Sequence, residues 1–373
     1  MTQKHIRVTG LCIALLLWAG LTAFAWFGPR QSFSFTERAE LSQAPALTGE
    51  SLLDGSFMAD FEEFTLDQFP LRDTFRSLKA VFHLYGLNQS DNNGLFAQQG
   101  YLEKMDKEVS PEAMDRTRQV FDRFYQNFLA GKTENIYFTL IPAKGHYMSH
   151  PTADLDAMAR ALDFPWASYV DISQTLSLED YYYTDTHWRQ ERIGKVAEKL
   201  LTAMGNTPAA DYTATALERP FYGVYYGQAA LPVQPETMYI LESDMLDACT
   251  VTGYRNGPAA PEALRFYNTA ELEDMADPYN VFLHGSTQTF VVIENPNAAT
   301  DKELVVLRDS FGCSLTPLLV ESYARVTVID LRAVGTMALK LFEAKGLLNF
   351  QDADVLFAYS TMVVNNPTSF QTN

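Results

Sequence analysis

The sequence predicts an α/β protein built on a parallel sheet and tied to a membrane by one N-terminal helix. Two features of the chain carry the sheet. Short apolar runs at Phe290–Ile293, Leu304–Leu307, Arg325–Ile329 and Val355–Tyr359 have the length of buried strands. Between them lie segments with helical spacing, about Ser314–Ser322 and Thr336–Lys345. Strands alternating with helices imply parallel pairing with helices on both faces. The third feature is an uncharged run of 20 residues from Val8 to Phe27, long enough to cross a bilayer.

That run comes first in the chain. Lys4 and Arg7 precede it and only Arg30 follows closely, so the N-terminus is expected in the cytoplasm and the rest outside. Ala23-Phe24-Ala25 resembles a signal-peptidase site, but the length of the run and the interfacial character of Trp26 and Phe27 favour an uncleaved anchor. Residues 1–30 therefore read as cytoplasmic tip and anchor, and residues 31–55 as a polar stalk. Residues 56–373 read as one large domain, a length sufficient to bury a substantial core.

The 373 residues are 47% hydrophobic and 20% charged. The first thirty carry three cations and no acids, leaving 25 Lys and Arg against 46 Asp and Glu, a formal charge of −21. Such a surface repels nucleic acid and anionic lipid headgroups, so nucleic-acid binding is excluded as a function class. Three cysteines make no framework, and a Cys249–Cys313 disulfide is left open. With no CxxC motif there is no case for structural zinc.

Within the domain, Phe57–Leu78 has helical spacing broken at Pro70 and reads as amphipathic helices packing on the domain. NNGLFAQQGYL, Asn92–Leu102, reads as a hairpin on its Asn-Gly and Gln-Gly signals. Ser110-Pro111-Glu112 opens a helix that Gly131 stops. Asn135–Ile141 reads as a buried strand, Pro151–Leu162 as a short helix and Ala167–Ile172 as a strand. Arg189–Met204 is helical by period. Residues from Asn206 to Asp277 show no clean period and read as irregular loops with short strands, partly covering the site.

The candidate chemistry lies in two separated stretches. In RDSFG, Ser310 follows a buried strand and opens onto a helix, where unpaired N–H groups can face an oxyanion. A serine hydroxyl needs a base. Of six histidines, His187 is best placed. Asp185 stands two residues before it, an arrangement of base and orienter in which one ring nitrogen is held and the other faces outward. Trp188 is the candidate wall against water. His146 and His150 lie four apart without HExxH, so they make no zinc pair. Arg308 replaces the first Gly of a GxSxG elbow. Spacing alone leaves open that DxH is a structural hydrogen bond and DS a plain turn.

A set of ordered stretches adds to this reading: DQFPLRD at Asp67–Asp73, the Asn92–Leu102 hairpin, IPAKGHYM at Ile141–Met148, YYYTDTHW at Tyr181–Trp188, YNVFLHG at Tyr279–Gly285, VVLRDSFG at Val305–Gly312 and VIDLR at Val328–Arg332. On these the chain resembles the bacterial DHHW family, which is similar to the SGNH-hydrolase-like domains of the alginate O-acetyltransferases AlgX and AlgJ. The resemblance implies a flavodoxin-like, three-layer α/β/α domain outside the membrane. It implies Ser310 as nucleophile, His187 as base and Asp185 as its orienter. Gly285, Arg308 and the Ser310 N–H become candidates for binding the oxyanion or substrate. Thr186 departs from the family's first His, and the His284–Gln288 stretch, HGSTQ, from its second Gly and Asn. The expected function is an anchored O-acetyltransferase or acetylesterase acting on a cell-envelope polysaccharide, with a membrane-bound O-acyltransferase as partner and no metal or organic cofactor. Two alternatives stand beside it: a non-catalytic envelope protein that binds glycan or a partner through the same fold, and a metal-dependent phosphoesterase using Asp185 and His187 as ligands.

Overall fold

The computed structural model describes residues 3–106, 108–150 and 152–370. The chain divides into two compact units. One comprises residues 1–95 and 224–234, the other residues 96–223 and 235–373.

The first unit contains a helix over Gln3–Phe27, whose Arg7–Phe27 stretch has mean hydropathy 2.1. At about 1.5 Å per residue it is long enough to cross a bilayer. The expected stalk holds a two-stranded ribbon, Phe33–Ser34 with Ala39–Glu40, and a short helix, Gly49–Leu53. Two helices follow, Ser56–Asp67 and Arg72–Val81, separated at Pro70 as the sequence predicts. Only Phe64 and Ala80 of the two are buried; Phe57, Phe61 and Phe69 are half-buried, and Leu66, Leu71, Phe75 and Leu78 stay exposed among the described residues. The polar residues of DQFPLRD knit this unit. Asp67 accepts from the Ser42 N–H and pairs with Arg72, and Arg72 and Arg76 both pair with Glu37.

The second unit is organised by an eight-stranded sheet. Its strands are β1 (Ile136–Ile141), β2 (Ser168–Tyr169), β3 (Thr250–Gly253), β4 (Glu262–Leu264), β5 (Phe290–Glu294), β6 (Glu303–Arg308), β7 (Arg325–Ile329) and β8 (Asp354–Ser360). They lie in the order β4-β3-β5-β7-β6-β8-β1-β2. The five strands from β7 to β2 are parallel, as expected of β6, β7 and β8. Along each, successive side chains enter opposite cores. Leu304 and Val306 join the cluster containing Trp188, Val196 and Leu200, whereas Val305 and Leu307 join Phe121, Phe124, Leu339 and Phe342. Burial on both faces is why these strands read as continuous apolar runs rather than alternating ones. The helices Pro111–Phe124, Leu155–Ala161 and Thr336–Ala344 cover one face and Gly194–Ala203 the other, giving three α/β/α layers.

Several expectations are corrected. β5 belongs to the sheet but runs antiparallel to β7, and β3 and β4 extend that edge antiparallel. A parallel return needs a long crossover, and residues 295–302 between β5 and β6 contain no helix. β3 and β4 are short strands within the stretch read as irregular loops with short strands; their place in the main sheet is what that reading did not give. The helix expected over Ser314–Ser322 is a single turn, Phe311–Leu315, followed by 3-10 turns at Thr316–Leu318 and Val320–Ser322. Pro317 supplies no N–H and breaks the α pattern. The strand expected over Ala167–Ile172 shortens to β2. Pro151, expected to open the next helix, lies outside the described residues; Asp154 caps it instead, accepting from the Ala157 N–H. The hairpin forms at Leu95–Gln98 and Tyr101–Lys104, turned by Gln99 and Gly100 at positive φ. Cys12, Cys249 and Cys313 are free thiols, so the open disulfide does not form.

Candidate active site

Ser310 sits just beyond the carboxyl end of β6, the position where α/β sheets offer a crevice for ligands. Asp309 fixes the turn. One carboxylate oxygen accepts from the Phe311 N–H at 3.0 Å, the other from the Ser360 N–H at the end of β8 at 2.7 Å. Gly312 lets the turn close on its own strand, since a Cβ there would lie 2.4 Å from Arg308 Cβ. The Ser310 side chain is half-buried.

The base arrives on a closed loop. Tyr181 and Trp188 pair across its foot, and the Tyr182 N–H donates to the His187 carbonyl at 3.1 Å. His187 Nε2 lies 2.7 Å from Ser310 Oγ, and Nδ1 lies 2.5 Å from Asp185 Oδ1. The same Asp185 oxygen accepts from the His187 N–H at 3.1 Å, so the two-residue spacing gives a direct contact. With Nδ1–H donating to the carboxylate, Nε2 is the basic nitrogen and faces the hydroxyl. The three residues expected to act together are together.

Tyr279, in the YNVFLHG stretch, was not singled out from the sequence. Its ring lies flat on the imidazole, 3.8 Å between centroids at 7°. Burial holds its phenol neutral by raising its pKa well above the usual value, and its hydroxyl shares a hydrogen bond with Ser314 Oγ at 2.7 Å. Trp188 was the expected wall. It is fully buried, donates to Ser314 Oγ at 2.9 Å and meets Phe311 edge-on. The rings that shield His187 are therefore Tyr279 and Phe311, with Trp188 fixing what Tyr279 bonds to.

Gly285 and Arg308 do not stand where the sequence put them. The Gly285 N–H donates to the Phe282 carbonyl at 2.9 Å, so that amide is already used within its own turn. The residue has φ +58°, and a Cβ would fall 1.8 Å from Asn280 Oδ1, so glycine is required there for space and backbone alike. Arg308 is fully buried. It donates to the Gln288 carbonyl at 2.8 Å and reaches the Gly285 carbonyl at 3.4 Å, with Asp330 at 3.7 Å. It ties the end of β6 to the 285–288 turn rather than facing solvent. Nor does the short helix after Ser310 offer its first amides. Those of Phe311 and Gly312 bond to Asp309, and that of Cys313 to the Ser310 carbonyl.

Along the same edge of the sheet, past β8, opens a cavity of about 180 Å³ whose walls include His146, Thr361, Asn365 and the apolar Leu155 and Met158.

No family model matches the chain, and no curated protein matches its sequence. Solved structures do. A DHHW family protein from Eubacterium siraeum superposes with a TM-score of 0.58 at 17% identity, over 75% of this chain and 94% of that one. Bacillus cereus PatB1 superposes at 0.57 and 17%, over 74% and 99%, and the same protein carrying a sulfonyl adduct at 0.57 and 16%, over 74% and 98%. At these identities the likeness is one of fold, and it is the fold that the family resemblance implies.

Proposed function

We propose that the chain is an anchored, extracytoplasmic serine O-acetyltransferase or acetylesterase acting on a cell-envelope polysaccharide. The observation that carries this reading is the contact series Ser310 Oγ–His187 Nε2 and His187 Nδ1–Asp185 at 2.7 and 2.5 Å. In the proposed reaction Ser310 Oγ attacks an acetyl carbonyl while Nε2 takes the hydroxyl proton. The tetrahedral intermediate collapses, the C–O bond to the leaving alcohol breaks, and the imidazolium returns the proton to that alcohol. The acetyl-Ser310 ester is then attacked by a sugar hydroxyl or by water, again deprotonated at Nε2; the C–O bond to Ser310 breaks and the imidazolium returns the proton to Oγ, freeing the serine. Asp185 keeps the ring in the right tautomer and stabilises its charged form. The Ser310 N–H is the oxyanion donor in this proposal, Gly285 having been set aside. A membrane-bound O-acyltransferase is the proposed source of the acetyl group.

The test is turnover. Purified protein given a chromogenic acetate should release chromophore, and with an envelope glycan oligomer present should yield an acetylated oligomer by mass spectrometry. No release and no acyl-enzyme would instead support a binding protein of the same fold.

The anchor has its own test. The apolar Arg7–Phe27 helix and the basic residues before it motivate an N-in orientation. Protease added to spheroplasts should digest everything beyond about residue 30 without lysis. A globular part protected until lysis rules the orientation out.

A further inference from the structure

The loop that carries Asp185 and His187 is gripped from two sides by buried side chains of opposite charge. Lys144 follows β1 and is fully buried. Its Nζ donates to three main-chain carbonyls of the loop: Tyr182 at 2.9 Å, Tyr183 at 3.1 Å and Asp185 at 2.6 Å. Glu236, its side chain 5% exposed, addresses the amides. It accepts from the Tyr183 N–H at 2.9 Å, the Thr184 N–H at 3.1 Å and the Thr184 hydroxyl at 3.2 Å, and it pairs with Arg189. A cation thus gathers the carbonyls and an anion gathers the N–H groups of one short segment. Neither side chain is among those in hydrogen-bonding contact with Ser310 or the His187 ring.

We propose that Lys144 and Glu236 are positioning residues that together aim the Asp185–His187 pair at Ser310, and that the ammonium form of Lys144 is the competent one. This rests on the reading of Ser310 as nucleophile. The count of donors argues for the charge state. An ammonium has three N–H groups for three carbonyls, whereas a neutral amine has two and turns its lone pair toward the third oxygen. The carbonyl abandoned first governs the outcome, because one of the three belongs to Asp185 itself. Burial lowers the Lys144 pKa to about 8, against the opposing pull of Glu103, Asp185 and Glu236 and with a small push from Arg189. The switch between forms therefore falls within a testable range.

Activity and stability should move in opposite directions there. Because folding lowers this pKa from 10.5 to about 8, the unfolded chain binds more protons between those values. The stability contributed by Lys144 therefore rises with pH across that window, while the grip on the loop is lost.

The experiment uses phenylmethylsulfonyl fluoride on the full chain, read by intact mass with the site mapped by peptide. Ser310 Oγ forms a bond to sulfur, the S–F bond breaks, fluoride leaves, and the hydroxyl proton passes to His187. Wild type should label at Ser310 with a rate that falls above about pH 8, with no parallel fall in Tm. Lys144→Met should label about 10²-fold more slowly at neutral pH, with the half-saturating reagent concentration unchanged and no alkaline decline. If Lys144→Met does not fold, Glu236→Gln, nearly the same shape, should show the same loss of maximal rate at unchanged half-saturation. A folded Lys144→Met or Glu236→Gln that labels at the wild-type rate overturns the proposal. So does a wild-type alkaline decline that tracks Tm. Wild type unlabelled at Ser310 at every pH overturns both this inference and the nucleophile on which it rests.

Discussion

Ser310→Ala is expected to abolish ester cleavage, a loss of roughly 10⁶-fold in kcat where the serine is the nucleophile of a working triad. The fold gives little reason for a structural cost. Ser310 is half-buried, its hydroxyl meets His187 Nε2, and the turn around it is held by Asp309, Ser360 and Gly312 through other atoms. Tm should accordingly shift by no more than a degree or two, within the range of a surface substitution. Asp185→Asn should cost less, about 10⁴-fold, since the imidazole keeps its place but loses the anion that stabilises its charged form. Rates are read as chromophore release from an acetate ester under saturating conditions. A Ser310→Ala protein that retains its rate would mean the serine is a turn residue and the imidazole merely packed beside it.

Gly223→Ala should cost about 10²-fold in kcat although residue 223 bears no chemistry. Its N–H donates to the Thr184 hydroxyl at 2.8 Å, and its Cα lies so close to the loop that a Cβ would fall 2.3 Å from the Thr184 carbonyl oxygen and from Asp185 Cβ, and 2.4 Å from Asp185 Cα. These are mostly main-chain atoms with no rotamer to yield. The loop must move, and an orienting carboxylate displaced by about 1 Å loses catalysis on that order. The half-saturating substrate concentration should stay near its wild-type value, because the acetyl-binding surface is untouched. Normal kcat in a folded Gly223→Ala protein would show that the loop can shift without disturbing the Asp185–His187 contact.

The sheet was legible in the sequence wherever burial on both faces left an uninterrupted apolar run, as at Leu304–Leu307 and Val355–Tyr359. It was illegible where strands were short and near the antiparallel end of the sheet. Thr250–Gly253 contributes one fully buried side chain, Val251, and ends in glycine, so its membership of the sheet comes from pairing with Phe290–Glu294 rather than from its own pattern. Direction was hidden too, since an apolar run looks the same running either way. At the site, the nucleophile, base and orienter carried local signals: a serine after a strand and a carboxylate two residues from a histidine. Tyr279 and Glu236 carried none, because their roles depend on what the fold brings opposite them. Arg308 and Gly285 were misread for a related reason. Proximity to Ser310 along the chain, or in a motif, says nothing about which atoms are already committed to the backbone.

The strand order has a consequence for how the second unit is made. β8, the last strand, lies between β6, which leads to Ser310, and β1, which leads to Lys144. The pairing of Val355 with Ile136 joins the two ends of this sheet in the chain, and His187 meets a serine 123 positions later. Contacts of such long sequence separation cost loop entropy before they return any stabilisation, which slows folding. During synthesis, β1 and β6 must each wait with an open, apolar, unpaired flank until Ser360 has emerged.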